Sequence, residues 1–539
     1  MVKFKSSKNP SGVKTKEKGP RLRFPFVGTP MPATCKEIER YPLNAPFAYA
    51  VVAEDQTTRA RKYYVDEIVL SPREAAIYTY LLDTLESELT VPRNEVNPRD
   101  YFREQAKRVV TKYSMNASQL SWPKILYYSE RDLVGFGVLD GFMRDAGIED
   151  ISADGVGKPI FIYHRKYENL ETNITFAKDE ELDNIISRLA HMAGKHVSTA
   201  FPVVQGTLPG RHRLAATFRR EISPYGGTLT IRKFREDPLT IVDMLNLNVI
   251  NYSLAAYTWL LLENRATAIV AGATGSGKTT LLNALLTLTR MSAKIVTIEE
   301  VQELNIAHLN WTALVARQSY GTGEESGTEV GLFDLVKATL RMRPDILVVG
   351  EVRGEEAYVL FQALSTGHGG LCTLHADDVT SAVQRLTSKP MDVPASFIPF
   401  LDLIFTVRRI TIPTAGGGTR VVRRVLSVDE VVGVGNYVKM FKWDASTDKH
   451  VASQLKMSVK LARLAKDTGQ TIPDMIEEIN RRASVLRWIA QKGIRNFKEV
   501  STLFEEYRLR GPELYQTAEV ELDRMGVASD SEIEESVTI

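Results

Sequence analysis

Cysteine is nearly absent from this chain of 539 residues: only Cys35 and Cys372 occur, far apart and in no C-x-x-C pair. That argues against a disulfide framework and a thiolate zinc site, and leaves two reduced packing thiols. Long apolar runs are missing as well. No stretch approaches the roughly 18 apolar residues that span a bilayer, and the basic N-terminus has no apolar segment of signal-peptide type, so a cytoplasmic location is expected. Net charge is small too, at +2 from 68 Lys and Arg against 66 Asp and Glu. The balance conceals two charged ends. Residues 1–24 hold Lys3, Lys5, Lys8, Lys14, Lys16, Lys18, Arg21 and Arg23 against Glu17 alone, while 528–539 carry Asp530, Glu532, Glu534 and Glu535. The region between is close to neutral, which does not suit a protein that tracks nucleic acid, and no such partner is expected. The basic tail could make peripheral contact with anionic lipid headgroups, each charge contributing about 1 kcal/mol near the surface. A solvated disordered tail fits the same composition.

With 44% hydrophobic and 25% charged residues, the rest is ordinary globular sequence, long enough for two or three units of about 100–200 residues each. The basic tail is expected over 1–39. An α+β unit follows over 40–124, with the strand pair AYAVVAED and ARKYYVDEIVL and a helical run at 73–89. Successive β-branched runs separated by Gly and Pro predict a second α+β unit over 125–235. A charged, Pro-containing linker covers 236–246. From 247 to 454 short apolar strands alternate with helices, which predicts a mainly parallel sheet covered on both faces. Residues 455–525 read as helical, with Gly469 and Gly493 as stops and Pro473 in a first turn. An acidic tail, 526–539, closes the chain.

Chemistry concentrates in three clusters. The first is Gly272-Ala273-Thr274-Gly275-Ser276-Gly277-Lys278-Thr279-Thr280, which satisfies G-x-x-x-x-G-K-[ST] between an apolar strand and a helix. Such a loop turns backbone N–H groups and a helix N-terminus toward phosphate oxygens. Lys278 neutralises phosphate charge, and the Thr279 hydroxyl can join a Mg²⁺ shell, so ATP and Mg²⁺ are the expected cofactors. The second cluster is acidic. Glu351 ends the apolar run Ile346–Val349 after Gly350, and Glu299 and Glu300 end the strand KIVTI. Hydrolysis needs an acid at a neighbouring strand end to order metal or water, and Gly350 is read as leaving room for phosphate and water. Glu351 is expected to contact the metal partly through water, although any of these acids could cap a helix instead. The third is His368, flanked by glycines, with His375 seven residues on. The glycine-rich segment suggests a loop set against the terminal phosphate; packing histidines are the plain alternative.

TIEEVQEL at 297–304, RPDILVVGEVRGEEA at 343–357 and STGHGGLCTLHADD at 365–378, in this order after the phosphate loop, resemble the Asp box, Walker B and His box of the secretion and type IV pilus assembly ATPase superfamily. Residues 125–176 resemble its archaeal branch, which includes pilus and archaellum motors. The resemblance covers roughly 40–525. It implies a RecA-like P-loop domain over 247–454, preceded by α+β N-terminal domains, the second PAS-like, and followed by a small helical C-terminal region. It further implies a homohexamer in which the N-terminal domain of one subunit docks on the motor domain of its neighbour, with nucleotide between the two domains. The ring would work on a polytopic membrane platform protein, and through it on pilin-like subunits, from the inner face of the membrane. By match to the family motif, Arg213 in GRHRLAATF and Arg232 in GTLTIRKF are carried over as charge-neutralising arginines, with Arg219, Arg220, Arg235 and Arg353 as further candidates. Glu300 stands where the family commonly has Asp, and the tetracysteine zinc module of many bacterial relatives is absent. A DNA-translocating hexamer is the alternative reading.

Overall fold

The computed structural model describes residues 25–88, 97–115, 117–317, 330–413 and 419–527. The charged segments 1–24 and 528–539 lie outside the described residues. The chain divides after Phe234 into two units.

The first unit opens with β1 (Cys35–Asn44), β2 (Ala48–Asp55) and β3 (Arg61–Glu67), followed by α1 (Pro72–Glu88), α2 (Pro98–Lys112), α3 (Ser121–Leu133) and α4 (Asp140–Arg144). It continues through β4 (Ile148–Ala153), β5 (Pro159–His164), β6 (Glu168–Thr175), α5 (Asp179–Met192), β7 (Val203–Leu208), β8 (His212–Thr217) and β9 (Thr228–Arg232). All nine strands form one sheet, ordered β1-β2-β3-β6-β5-β4-β9-β8-β7. The segments 40–124 and 125–235, expected as separate α+β units, are thus joined. Their seam is the parallel pairing of β3 with β6 at Lys62–Glu171 and Tyr63–Thr172. Asn173 extends it: its Oδ1 accepts from the Val65 amide at 2.9 Å and its Nδ2 donates to the Thr29 carbonyl at 2.7 Å. A side-chain amide here continues a ladder that only two backbone pairs begin. The basic tail expected to end at 39 is also shorter, because β1 starts at Cys35 and Phe26 packs on the core. The other pairings are antiparallel, and burial alternates along β8, where Leu214 and Ala216 are buried and Arg213 and Ala215 exposed, whereas Ala50–Ala53 of β2 and Tyr63–Val65 of β3 are buried throughout.

The second unit begins with α6 (Ile241–Asn246), α7 (Tyr252–Glu263), β10 (Ala268–Ala271), α8 (Lys278–Leu286), β11 (Ile295–Glu299), β12 (Trp311–Val315) and α9 (Leu332–Thr339). Then come β13 (Ile346–Val349), α10 (Glu356–Ser365), β14 (Gly369–Leu374), α11 (Val379–Thr387), β15 (Leu403–Pro413), β16 (Thr419–Gly433), β17 (Asn436–Asp444) and β18 (Lys449–Ala452). Helices α12 (Val459–Thr468), α13 (Ile472–Gln491) and α14 (Phe497–Arg524) end it. The sheet runs β12-β11-β13-β14-β10-β15-β16-β17-β18. Strands β10 to β15 are parallel, as their alternation with helices predicts, whereas β15 to β18 form an antiparallel extension that the strand–helix alternation did not announce. Half of the expected linker 236–246 is helix α6. Thr240 caps it with Asp243, and Ile241, Val242 and Met244 are buried. The helical C-terminal region packs into the same core: the Trp259 ring of α7 lies 4.5 Å from Phe504 and 5.0 Å from Tyr507, and Arg482 pairs with Glu263 at 2.6 Å.

Candidate functional site

Parallel strands buried on both faces can present chemistry only at their ends. Here the registers align those ends, with Ala271 beside Leu374, Cys372 beside Val349 and Val349 beside Ile298. Gly272, His375, Glu351 and Glu299 therefore reach one edge, the carboxyl edge at which open α/β sheets bind ligands.

The phosphate loop needs its glycines. Gly275 and Gly277 hold φ of +73° and +95°, in the left-handed region that glycine enters without steric cost. A Cβ on Gly272 would fall 2.4 Å from the Val407 carbonyl oxygen. Ser276 closes the turn by donating its amide to the Ala273 carbonyl at 3.3 Å. Ala273, Thr274, Gly275 and Thr280 are exposed and Thr279 is half-buried on the first turn of α8, where helix N–H groups lack intrahelical partners.

Lys278 is buried, and its Nζ lies 3.2 Å from the Ala273 carbonyl and 3.3 Å from His375 Nε2. Burial lowers the lysine pKa while Glu351 opposes the shift. Burial and the charge of Lys278 also hold His375 down, while Glu351 opposes them. Glu351 Oε1 stands 2.8 Å from the same Nε2 without making a hydrogen bond, and Oε2 accepts from Arg353 at 2.6 Å. Burial pushes the Glu351 carboxyl up, but Arg353, His375 and Lys278 outweigh it and keep it below the ordinary range. At neutral pH Glu351 is a carboxylate.

Glu299 has the opposite character. It is 3% exposed; Oε1 accepts the amides of Glu303 and Leu304 at 2.9 and 3.0 Å, and Oε2 is buried without a partner. Burial raises its pKa to about 7 against those two donors. A Cβ on Gly350 would sit 3.0 Å from Glu299 Cγ, so the missing side chain of this glycine admits that of Glu299. Glu300 is exposed, 3.8 Å from the guanidinium of Arg353. Arg353, a lesser candidate in the sequence, thus bridges both acidic positions.

Three features fit a Mg²⁺–nucleotide. Ser276 Oγ, Glu351 Oε1 and Glu299 Oε2 are buried without hydrogen-bond partners, the loop glycines are set for close approach, and Thr279 and Glu351 offer the hard oxygen donors that Mg²⁺ prefers.

His368 is not brought to this edge. It precedes β14 whereas His375 follows it, so about 20 Å of strand separates them. Its Nδ1 lies 2.9 Å from Thr366 Oγ1 and 3.1 Å from the Ala363 carbonyl. The expected loop against the terminal phosphate is therefore a helix-to-strand turn at the opposite edge, because the two histidines flank a strand. Arg213 and Arg232 belong to the first unit, directly opposite one another on β8 and β9. Arg232 pairs with Asp150 at 3.1 Å, and Arg213 has no carboxylate partner among the described residues. Like charges facing across a ladder are unfavourable for folding, so the pair suits an anion. Arg219 and Arg220 are tied to Asp183 and Asp179 at 3.4 and 3.0 Å.

The structure adds arginines that no motif marked. Arg423 of β16 donates Nε to the Gly275 carbonyl at 3.3 Å, and its Cδ lies 3.0 Å from where a Cβ on Gly277 would be. Arg385 donates to the His375 carbonyl, and Arg408 lies 3.5 Å from the Asp377 carbonyl. The available signal was compositional: residues 408–424 contain five arginines and no acid.

Comparison with known proteins places these residues in context. The model of the type II/IV secretion system protein family matches residues 138–398, and a PilB3-like N-terminal model matches 9–67. The uncharacterized protein MJ0900 of Methanocaldococcus jannaschii is 35% identical over 398 residues, covering 72% of this chain and 70% of its own. MJ0781 of the same organism is 39% identical over 239 residues, 43% of this chain and 33% of that protein. A putative conjugal transfer protein of Mycobacterium tuberculosis, MT3759, is 34% identical over 265 residues, covering 48% and 73%. Among solved structures, the Legionella pneumophila ATPase DotB aligns over 67% of this chain and 92% of its own at 17% identity and TM-score 0.38. The VirB11 ATPase of the Brucella suis type IV secretion system aligns over 51% and 88% at 21% identity and TM-score 0.25. With its phosphate loop, acids and histidines in the family's order and this extent of relatedness, the chain belongs to the type II/IV secretion system protein family.

Proposed function

We propose that the protein is an ATP hydrolase that works as a homohexameric ring. It would couple MgATP hydrolysis to assembly of a type IV pilus-like or archaellum filament, or to type II-like secretion, through a polytopic platform protein at the inner face of the membrane. One observation carries the hydrolytic reading: Lys278, His375 and Glu351 form a continuous polar chain, with contacts of 3.3 and 2.8 Å, beside a phosphate loop. Family membership supports the secretion or pilus role. Among the described residues no helix is long and apolar enough to cross a membrane.

Bound Mg²⁺, held by Thr279 and Glu351, would polarise the phosphate oxygens. The chain's own groups do the rest. Lys278 and the α8 N-terminus offset phosphate charge, and the ionised Glu351 orients the attacking water and takes its proton. Arg353 keeps that carboxylate in place at 2.6 Å. Glu299, titrating at about 7, is the neighbouring group able to hold a proton near neutral pH. Arg213 and Arg232 are assigned to charge neutralisation at the phosphates by their match to the family motif.

Purified Glu351→Gln should bind ATP with near-normal affinity and release phosphate about 10²–10³-fold more slowly. Unchanged turnover would remove Glu351 from the reaction. A second reading, a nucleic-acid motor, is favoured by the similarity to conjugal transfer proteins. Salt-sensitive retention of DNA on a filter at two salt concentrations would support it, and no retention at low salt would exclude it.

A further inference from the structure

The proposed hydrolytic cycle makes no use of the helices α2 and α3, yet these enclose a cavity of about 580 Å³, within the roughly 300–1,000 Å³ of ligand clefts. Its floor is apolar and largely aromatic: Phe47, Phe102, Trp122, Leu126 and Tyr127 line it, with Phe47 stacked on Tyr127 at 5.4 Å. Its rim is basic. Arg99, Arg103 and Lys107 follow one another at four-residue spacing along α2, Arg144 adds a fourth cation, and Glu130 is the one carboxylate of the lining.

This arrangement is poor for folding alone. Cations at i, i+4 and i+8 repel one another. Glu130 is shared, 3.7 Å from Arg99 and 3.0 Å from Arg103. Arg144 is turned to Asp140 at 2.5 Å, and Lys107 has no carboxylate partner among the described residues. Phe47, Trp122 and Leu126 remain only half-buried. A row of positive charge thus lies above unfilled apolar surface.

We infer that this cavity is a docking groove for an acidic amphipathic helix of a partner protein. Charge complementarity and spacing both select that occupant. From Arg99 to Lys107 the row spans eight residues, about 12 Å. Carboxylates four residues apart on a second helix repeat at about 6 Å and match it position for position. The apolar side chains of that helix, on the intervening stripe, would enter the aromatic floor, as in other helix-in-groove complexes. A single phosphate headgroup could meet one or two of the cations but not the row.

The test uses the full-length protein and a fluorescein-labelled 16-residue peptide, with Glu at every fourth position, Leu on the adjoining stripe and Ala elsewhere. Its scrambled isomer and phosphatidylglycerol vesicles are the comparison probes. The ordered peptide should bind in the micromolar range and the scramble about tenfold more weakly. Arg103→Glu with Lys107→Glu should abolish binding, and the charge-swapped peptide with Lys for Glu should bind that double variant, a gain that misfolding cannot produce. Equal binding of ordered and scrambled peptides, no binding of either, or no rescue by the swapped peptide overturns the proposal. Vesicle binding lost in the same double variant, without peptide binding, also overturns it in favour of a lipid surface. ATP hydrolysis in the double variant should match the parent, so loss of peptide binding is distinguishable from failure of the hydrolytic reading.

Discussion

The two nine-stranded sheets are built on opposite principles. In the second unit the central strands are short and apolar on both faces, as in β10 and β13, where every residue is buried. In the first unit burial alternates along β8 and β9, and one face of these strands carries Arg213 and Arg232 into solvent. A doubly covered sheet offers chemistry only at its ends, where geometry is set by register. A half-exposed sheet offers a whole face, where side chains are free to meet a ligand or partner. The doubly covered sheet of the second unit is suited to fixing a site, and the half-exposed sheet of the first to presenting a face.

The largest effect that would sharpen this contrast comes from the exposed face. Arg232→Ala combined with Arg213→Ala should lower kcat by about 10³-fold with little change in Tm, measured by phosphate release and thermal unfolding. Full activity in that variant would break the contrast. Glu299→Gln tests the buried sheet's end. Its folded pKa of about 7 lies above the ordinary 4.5, so the native state favours the protonated form. The fold therefore loses stability as pH rises from about 4.5 through 7, and above that range ionised Glu299 costs about 3 kcal/mol. The glutamine variant should be more stable than the parent by up to that amount at pH 8 and equal to it near pH 4.5, by urea unfolding. Arg423→Ala, which removes a guanidinium from the Gly275 carbonyl, should raise the ATP Kd by about tenfold, read by titration calorimetry. The smallest effect is expected at the edge away from the loop: His368→Ala should change kcat by less than about twofold.

Legibility followed the same division. The phosphate loop and the acids after β11 and β13 could be read because a parallel βαβ sheet ties local sequence to position: strand, turn and helix occur in order. His368 and His375 misled for a related reason. Seven residues look adjacent in a sequence, but six of them form β14 and carry the histidines to opposite edges. The packing of Glu299 against Gly350 left no trace in the sequence, because Glu299 lies 51 positions earlier and meets the glycine only across the sheet. Arg423 belongs to an antiparallel hairpin whose register no motif encodes. The join between β3 and β6 rests on two pairs separated by 109 positions, too few to leave a periodic trace.

That join has a mechanical consequence. Hydrogen bonds run perpendicular to strands, so a pull on β1 is carried across β2, β3, β6, β5 and β4 to β9, whose last residue, Arg232, is followed by Lys233. The ammonium of Lys233 is anchored to the carbonyls of Phe142 and Asp145. Two backbone pairs and the Asn173 amide are the narrowest section of this path. Side chains cross the same boundary: the hydroxyls of Tyr41 and Tyr63 both donate to Asp145 at 2.7 Å, and Arg131 pairs with Glu67 at 2.8 Å, so a load meeting this section passes through side chains as much as through backbone.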